Sequence, residues 1–322
     1  MKSPGCTAAV LSFYVAATLL AGCGAISVDS KTAQATSGTS SGSGSGNGGN
    51  GSGSGSGSGS GNGGNGSGSG NGSGNGGNGS GSGNGSGSGS GGALALVPAS
   101  ALRVTAIQTL SSWQGVYDSA TSGSSGNAGG AMTLVASPSI SGQARQFQTT
   151  YNHSGGERYW VSFGQDTAAT HFLYDTWVYL DSTSGNVANL EMDLNQVTAN
   201  GQTVLFGFQC DGYSKTWDYT TNAGTPESPV AHWLQSDQAC DLQSWSKNAW
   251  HHVQVLYSRD DAGNVTYQSV WLDDTEQDIG VTVPSSFALG WGSTLLTNLQ
   301  VDGQGASGES NVYLDQLTVY RW

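Results

Sequence analysis

The stretch from Ser37 to Gly92 limits how much of this chain can fold, because it contains almost nothing except glycine, serine and asparagine. It carries no charge and no apolar side chain, so it buries nothing that would offset the loss of chain entropy. We expect a flexible coil with an end-to-end span of roughly 40 Å, as for other Gly-rich linkers. This composition is typical of a spacer and also of a neutral expansion of repeats. Neither interpretation predicts a fold built from structural repeats.

The first 23 residues have the pattern of a lipoprotein signal peptide. Lys2 supplies a positive charge, Ala8 to Leu20 is apolar, and the small residues Ala21 and Gly22 precede Cys23. The apolar run is too short to span a bilayer comfortably. We predict cleavage before Cys23 and its acylation by chains such as palmitate, which would anchor the protein stably. An ordinary secretory signal is the alternative, and both place the rest of the chain outside the cytoplasm.

These two features divide the chain into a signal peptide at 1–22, a lipid-anchored flexible linker at 23–92 and one folded domain at 93–322. Gly24 follows the anchor cysteine where an Asp would retain a lipoprotein at an inner membrane. We therefore expect an extracytoplasmic protein anchored to a bacterial cell membrane, at the outer membrane or the cell surface.

The folded domain is strongly acidic. All ten tryptophans lie in it, together with seven of the nine Lys and Arg residues and 21 of the 22 Asp and Glu residues. Nucleic acids and anionic membranes need a basic face, so neither is an expected partner of this domain. A neutral or cationic ligand fits this charge better.

Two cysteines, Cys210 and Cys240, lie in the folded domain, whereas Cys6 lies in the segment to be removed. An exported domain meets an oxidising environment, so we predict a disulfide between them. It would close a loop of about 30 residues and contribute roughly 3 to 4 kcal/mol in the chain-entropy treatment. A metal site is the weaker alternative, because two isolated cysteines do not make a tetrahedral ligand set.

Apolar and polar residues alternate with period two through most of the domain, which predicts β-strands and almost no helix. Polar and Gly-rich turns separate the strands, as in an all-β, two-sheet antiparallel jelly-roll sandwich. The predicted strands are Gln146 to Tyr151, Tyr159 to Phe163, Phe172 to Leu180, Leu190 to Asn195, Thr203 to Gln209, Thr216 to Thr220, His252 to Ser258, Val265 to Leu272 and Val312 to Tyr320.

The strand that begins at Leu190 carries the sharpest chemical pattern, because Glu191, Asp193 and Asn195 alternate with Leu190, Met192 and Leu194. The polar three share one face at a spacing of about 7 Å. A bulge after Leu194 would bring Gln196 to this face instead of Asn195.

This strand resembles the Glu-x-Asp-x-Glu strand of laminarinase-like retaining glucanases, which have a concanavalin A-like jelly roll. The resemblance implies a nucleophile at Glu191 and an assisting acid at Asp193. The third position, a general acid/base in that family, is here an amide, which cannot donate and recover a proton as a carboxylic acid does. Hydrolysis would need an acid from another strand, such as Asp218 or Glu157.

Two further segments resemble laminin-G-like and pentraxin-like jelly rolls. They are the strand and hairpin at 250–274 and the closing strand at 312–320. The chain is also similar to a group of secreted bacterial lipoproteins that share Leu-Glu-x-Asp-x-Asn-Gln, the Phe-Gly-x-Gln-Cys seen at 206–210, and a terminal Leu-Asp strand.

A sugar ring stacks on Trp or Tyr, and its hydroxyls bind Asp, Asn, Gln and Arg. Trp217, Trp160 and Trp233 are the predicted exposed tryptophans, whereas Trp250 and Trp271 are expected in the core. The candidate ligand-binding residues are Glu191, Asp193, Asn195, Gln209, Trp217, Tyr219, Arg158 and Trp160.

We expect no cofactor and no catalytic metal. His251 and His252 are neighbours on a strand and point to opposite faces, so they cannot chelate one metal. The turn that contains Asp260, Asp261 and Asn264 is expected to be a solvated hairpin. A structural calcium site there is the weaker alternative. The leading hypothesis is a surface lipoprotein with a lectin-like, carbohydrate-binding domain. The alternatives are a glycoside hydrolase or polysaccharide lyase, and a structural or adhesive protein.

Overall fold

The computed structural model describes residues 92–118, 127–152, 155–304 and 307–322. The signal peptide, Cys23 and the Gly-rich linker lie outside these residues, so their roles stay predictions. No helix in the described part is long and apolar enough to cross a membrane.

The described residues form β-strands joined by turns and by short 3-10 segments at Ala93–Leu96, Ile107–Thr109 and Ser184–Asn186. This confirms the predicted all-β class. The strands are β1 (Leu102–Val104), β2 (Gln114–Asp118), β3 (Asn127–Val135), β4 (Ala144–Asn152), β5 (Gly156–Gly164), β6 (His171–Leu180), β7 (Val187–Val197), β8 (Thr203–Phe206), β9 (Phe208–Asp211), β10 (Thr216–Asn222), β11 (Ala231–Ala239), β12 (Ala249–Arg259), β13 (Asn264–Leu272), β14 (Thr275–Pro284), β15 (Ser286–Phe287), β16 (Leu295–Gly303) and β17 (Gly308–Arg321).

Two antiparallel sheets pack face to face, as the predicted jelly-roll sandwich requires. Sheet I has the order β14-β13-β12-β6-β17-β4-β3, with β1 also paired to β17. Sheet II has the order β11-β10-β9-β7-β16-β5-β2, with β8 paired to β7 and to β15. Some neighbours within each sheet, such as β6 with β17 and β7 with β16, come from distant parts of the chain, so the sheets bring together side chains that are far apart in sequence.

The core lies between the two sheets and follows from the period-two pattern. Leu190, Met192 and Leu194 of β7 are fully buried there, opposite Phe172 and Tyr174 of β6. Each such side chain contributes about 1.5 to 3 kcal/mol through burial of apolar surface. The same alternation turns the intervening residues of β7 to the outer face of sheet II.

All nine predicted strands occur, and most extend by one to four residues at their ends. The predicted strand from Thr203 to Gln209 is divided into β8 and β9 at Gly207, where a Cβ atom would collide with the Thr220 side chain. Several strands were not predicted, and β16 is the one that matters most for the site.

A second, smaller apolar cluster lies on the outer face of sheet I. Ala93 is fully buried there against Leu173, Leu256 and Trp271. Trp271 is therefore buried, but outside the main core. The prediction that Trp250 is a core residue is wrong: its ring is only partly buried, on the same outer face, where it packs against Tyr179.

The predicted disulfide between Cys210 and Cys240 is confirmed. Cys210 lies on β9 and Cys240 directly follows β11, and both are buried in the main core. The bond ties the edge strand of sheet II to a strand near its centre.

His251 and His252 point to opposite faces of β12, as predicted. His252 lies on the outer face, where its Nε2 is 2.7 Å from Asp175 Oδ1 and its ring stacks on Trp177 at a centroid distance of 4.4 Å. Burial alone would lower the pKa of His252, but the hydrogen bond and charge of Asp175, with the more distant Asp274, raise it above its usual value.

A pH dependence of stability follows from His252. A raised pKa in the folded state stabilises the protein fully below the unfolded pKa of about 6.5, and this stabilisation disappears as the pH rises through the folded value. The free energy of unfolding should therefore fall as the pH rises above about 6.5 and through the raised pKa of His252, measured by urea denaturation. His252→Gln should flatten this slope, and His232→Gln on β11 is the matched control. An unchanged slope in His252→Gln would contradict the prediction.

Candidate functional site

The outer face of sheet II carries the polar residues of β7. Glu191, Asp193 and Asn195 point away from the core, as predicted, because the residues between them are buried inside. No bulge follows Leu194, since the register of β7 with β8 and β16 stays regular through Gln196. Gln196 instead donates to the carbonyls of Asp166 and Ala169, so Asn195 is the residue that occupies the third position.

Strand register extends this face into a line of polar side chains across six strands. Glu191 pairs with Gln300 on one side and with Gln209 on the other. The line continues from Gln300 to Arg158 and from Gln209 through Asp218 to Gln235. We call the six residues Arg158, Gln300, Glu191, Gln209, Asp218 and Gln235 the polar row. At the usual interstrand spacing of about 4.8 Å, the row is about 24 Å long.

Asn298 of β16 lies beside the row and holds its central residues together. Its Nδ2 donates to Asp193 Oδ2 at 3.0 Å and to Glu191 Oε1 at 3.4 Å. Its Oδ1 accepts a hydrogen bond of 3.2 Å from Asn195 Nδ2. Asp193 is fixed further by the backbone N–H of Phe208 at 3.1 Å. These contacts link the central side chains of the face to one another and to the backbone of β9.

The carboxyl groups of Glu191 and Asp193 are neighbours, because both accept a hydrogen bond from Asn298 Nδ2. Burial raises the pKa of Glu191 well above its ordinary range, and the Asp193 charge, its hydrogen bond and the Asp302 charge raise it further, against the Arg158 guanidinium. Burial also raises the pKa of Asp193, although hydrogen bonds from Glu191, Asn298 and Phe208 oppose this. Glu191 is therefore the more easily protonated member of the pair.

A second carboxyl pair lies two strands away. Burial raises the pKa of Asp218 to about 7, and the charge and hydrogen bond of Asp211 act in the same direction. Hydrogen bonds from Thr216 Oγ1 at 2.6 Å and Ser214 Oγ at 3.2 Å oppose this effect. The face therefore has two places where the pKa of a buried carboxyl group is raised beside a second acid.

Two of the candidate residues lie on the other side of the sheet. Trp217 is fully buried in the core and stacks on Phe208 at a centroid distance of 5.1 Å, so the prediction that it is exposed is wrong. Tyr219 is buried beside it. Asp218 between them faces outward, and strand alternation then turns both aromatic residues inward. Neither ring can reach a ligand on the outer face.

Arg158 and Trp160 of β5 lie on the outer face and are partly buried. Trp160 pairs with Asn298, which places its ring next to the centre of the face. Trp233 is partly buried on the edge strand β11, where it pairs with Thr220.

Of the two acids suggested from other strands, Glu157 alternates with Arg158 and lies on the inner side of β5, beside Gly115 and Gly130. It cannot face Glu191. Asp218 does share the face, but two strand spacings separate it from Glu191, or about 10 Å.

Sequence reasoning missed Asn298, Gln300 and Asp302, which β16 contributes beside β7. The signal was present, because these residues alternate with Leu299 and Val301, which are fully buried. The preceding Leu295 and Leu296 interrupt the alternation and make this strand hard to identify from sequence.

In the described part of the chain, no group of three or more His, Cys, Asp and Glu side chains is arranged to hold a metal ion. At the candidate calcium turn, Asp260 accepts hydrogen bonds from the backbone N–H of Asn264 at 2.8 Å and from its side chain at 2.6 Å. These contacts close the hairpin between β12 and β13.

No family model matches the sequence, and no curated protein matches it. Solved structures of similar fold include carbohydrate-binding modules from the β-sandwich superfamily, with 11% identity, 65% of this chain and 57% of that chain covered, and a TM-score of 0.34. This chain thus spans less than two thirds of that structure. Arcelin-5, a lectin-like defense protein from Phaseolus vulgaris, is 11% identical, with 65% and 98% covered and a TM-score of 0.36. Alginate lyase from a Chlorella virus is 8% identical, with 60% and 89% covered and a TM-score of 0.34.

Proposed function

We propose that residues 93–322 form a lectin-like domain that binds a glycan on the outer face of sheet II, and that the N-terminal lipoprotein signal anchors it at a bacterial cell surface. The observation that carries this proposal is the polar row. Six side chains with hydrogen-bonding ends are aligned by register on one outer face, from strands as far apart in sequence as β5 and β16.

The chemistry of the row suits a chain of hydroxyl groups. The amide side chains of Gln209 and Gln235 each carry two donors and an acceptor, whereas the carboxyl groups mainly accept. A glycan offers both donors and acceptors at short intervals along its length. An apolar ligand would leave these polar groups desolvated without partners, which costs about 1 to 3 kcal/mol for each group.

The burial of the row also favours binding over simple solvation. Glu191, Gln209, Asp218 and Gln300 are each less than 9% exposed, although they lie on an outer face. Buried side chains have little freedom left to lose, so little side-chain entropy is lost on binding. The face is therefore organised for a ligand in advance.

Anchoring rests on the sequence pattern that ends at Cys23. A cleaved and acylated cysteine followed by a linker of about 70 residues would hold the domain at the membrane while leaving it free to reach a polysaccharide. Labelling with radioactive palmitate should therefore mark the wild-type chain and not the Cys23→Ser variant. Equal labelling of both would contradict the anchoring proposal.

Affinity electrophoresis of the purified chain through gels that contain different polysaccharides tests glycan binding. We expect at least one polysaccharide to retard the protein. Gln209→Ala should weaken this retardation about tenfold, because one or two direct hydrogen bonds to the ligand are lost. Gln268→Ala removes the same side chain from β13 of sheet I and should leave the retardation unchanged.

The same samples, assayed for newly formed reducing ends and for unsaturated products, separate binding from cleavage. Retardation without new ends supports a lectin-like domain. New ends that Glu191→Gln abolishes would show an enzyme, with Asp302 or Asp218 as the missing acid. No retardation over a broad panel would contradict glycan binding and leave the structural or adhesive role.

A further inference from the structure

We propose that the glycan bound by this face is an amino-sugar polymer, whose protonated primary amines sit against the two carboxyl pairs Glu191–Asp193 and Asp211–Asp218. This inference rests on the proposed function and names the class of ligand for the same face. It separates unmodified amino sugars from neutral, N-acetylated and acidic glycans.

The charges on the face point to a cationic ligand. On the strands of sheet II, Arg158 is the one positive side chain on the described part of the outer face, and Lys215 in the turn after β9 is engaged with Asp241 at 3.1 Å. The carboxyl groups that face outward are Glu191 and Asp193 on β7, Asp302 on β16, Asp211 on β9 and Asp218 on β10. A sulfated or uronic-acid glycan would meet like charges here, which costs affinity.

An unpaired acceptor supports the same conclusion independently. Asn195 is 4% exposed, and its Oδ1 has no hydrogen-bond partner among the described residues. The amide nitrogen is engaged with Asn298, so the side chain cannot rotate to exchange its two ends without losing that bond. A buried acceptor without a partner costs free energy that a donor from a ligand would recover. An ammonium group has three donors and no acceptor, which suits a site lined by carboxylate and amide oxygens.

The charge of each carboxyl pair also favours an amine over a hydroxyl group as the bound ligand group. A proton on Glu191 lets this residue stay close to Asp193 away from bulk water. An ammonium group can replace that proton, because it brings a positive charge and donates to both carboxylates at once. A neutral hydroxyl supplies a donor but no charge, so the pair would keep its proton.

The spacing of the pairs fits a polymer better than a single sugar. Glu191 and Asp218 both pair with Gln209, so they lie two strand spacings apart, or about 10 Å. A ligand that satisfies both pairs must carry amines at separated positions along one chain. Glucosamine oligomers have one amine on every residue.

Isothermal titration of the full-length chain in detergent, at about pH 5.5 where amines are protonated, tests the inference. The probes are hexaglucosamine, hexa-N-acetylglucosamine and hexalysine. We expect hexaglucosamine to bind at least about tenfold tighter than either of the others. Repeating the titration in two buffers of different ionisation enthalpy should show a net release of protons, because ammonium groups displace the protons of these carboxyl groups.

Glu191→Gln should remove most of the preference for the amine, because a carboxamide cannot become negative. Glu276→Gln removes one charge from an exposed position on β14 of sheet I and should leave the preference intact. If Glu191→Gln does not fold, Asp218→Asn makes the same test at the second pair.

Three results would overturn the inference. They are equal binding of the acetylated and free hexamers, equally tight binding of hexalysine, and binding without proton release. In each case, retardation by a neutral polysaccharide would leave the proposed function standing. Failure of every glycan to bind would remove both proposals.

Discussion

Replacing Trp217 with alanine should lower the free energy of unfolding by about 3 to 5 kcal/mol, the usual cost of removing a large aromatic side chain from a core. Trp217 is fully buried, and its ring packs between Phe208 and Trp245 at centroid distances of 5.1 and 6.3 Å. The cavity cannot collapse easily, because β10 is held by β9 and β11 on both sides. Urea denaturation followed by circular dichroism measures this change.

Trp160→Ala is the matched control, because Trp160 is a partly buried tryptophan on the outer face of the same sheet. It should cost less than half as much stability but weaken glycan binding. Folded Trp217→Ala protein should keep its ligand affinity, since this ring does not reach the outer face. A cost below about 1 kcal/mol for Trp217→Ala would contradict its placement in the core.

Removing the disulfide by the double change Cys210→Ser and Cys240→Ser should destabilise the protein by about 3.5 kcal/mol. The two cysteines are 30 residues apart in sequence. In the chain-entropy model, opening a loop of that size stabilises the unfolded chain by about this free energy. Both side chains are buried, so two hydroxyl groups in the core would add a further cost.

A reducing agent provides the control for this prediction. It should lower the melting temperature of the wild-type protein toward that of the double variant and leave the variant unchanged. If the variant melts within a degree or two of the oxidised wild type, the bond contributes little and the prediction is wrong.

The fold was predictable because its central strand β7 alternates strictly from Asn189 to Asn195. Residues of one parity there are apolar and buried in the core, and those of the other are polar, so a sandwich with one buried face follows directly. The edge strands lack this signal. β3 is rich in Gly and Ala, and β14 mixes acids with Gly280 and Pro284, because an edge strand has little core to bury and different packing demands.

The site was predictable only in part. The outward acids of β7 followed from alternation within one strand, whereas their partners on β16 lie more than 100 residues away, and single-sequence reasoning gives no register between distant strands. The position of Trp217 follows from Asp218 and not from the preference of aromatic residues for sugar-binding surfaces. Neighbouring side chains on a strand point to opposite faces, so an outward Asp218 turns Trp217 into the core.

The burial of Ala93 fixes the face on which the described part of the chain begins. Ala93 packs on Leu173, Leu256 and Trp271, which lie on the outer face of sheet I, whereas the polar row lies on the outer face of sheet II. The first described residues of the domain therefore cover the face opposite the polar row and leave that row uncovered.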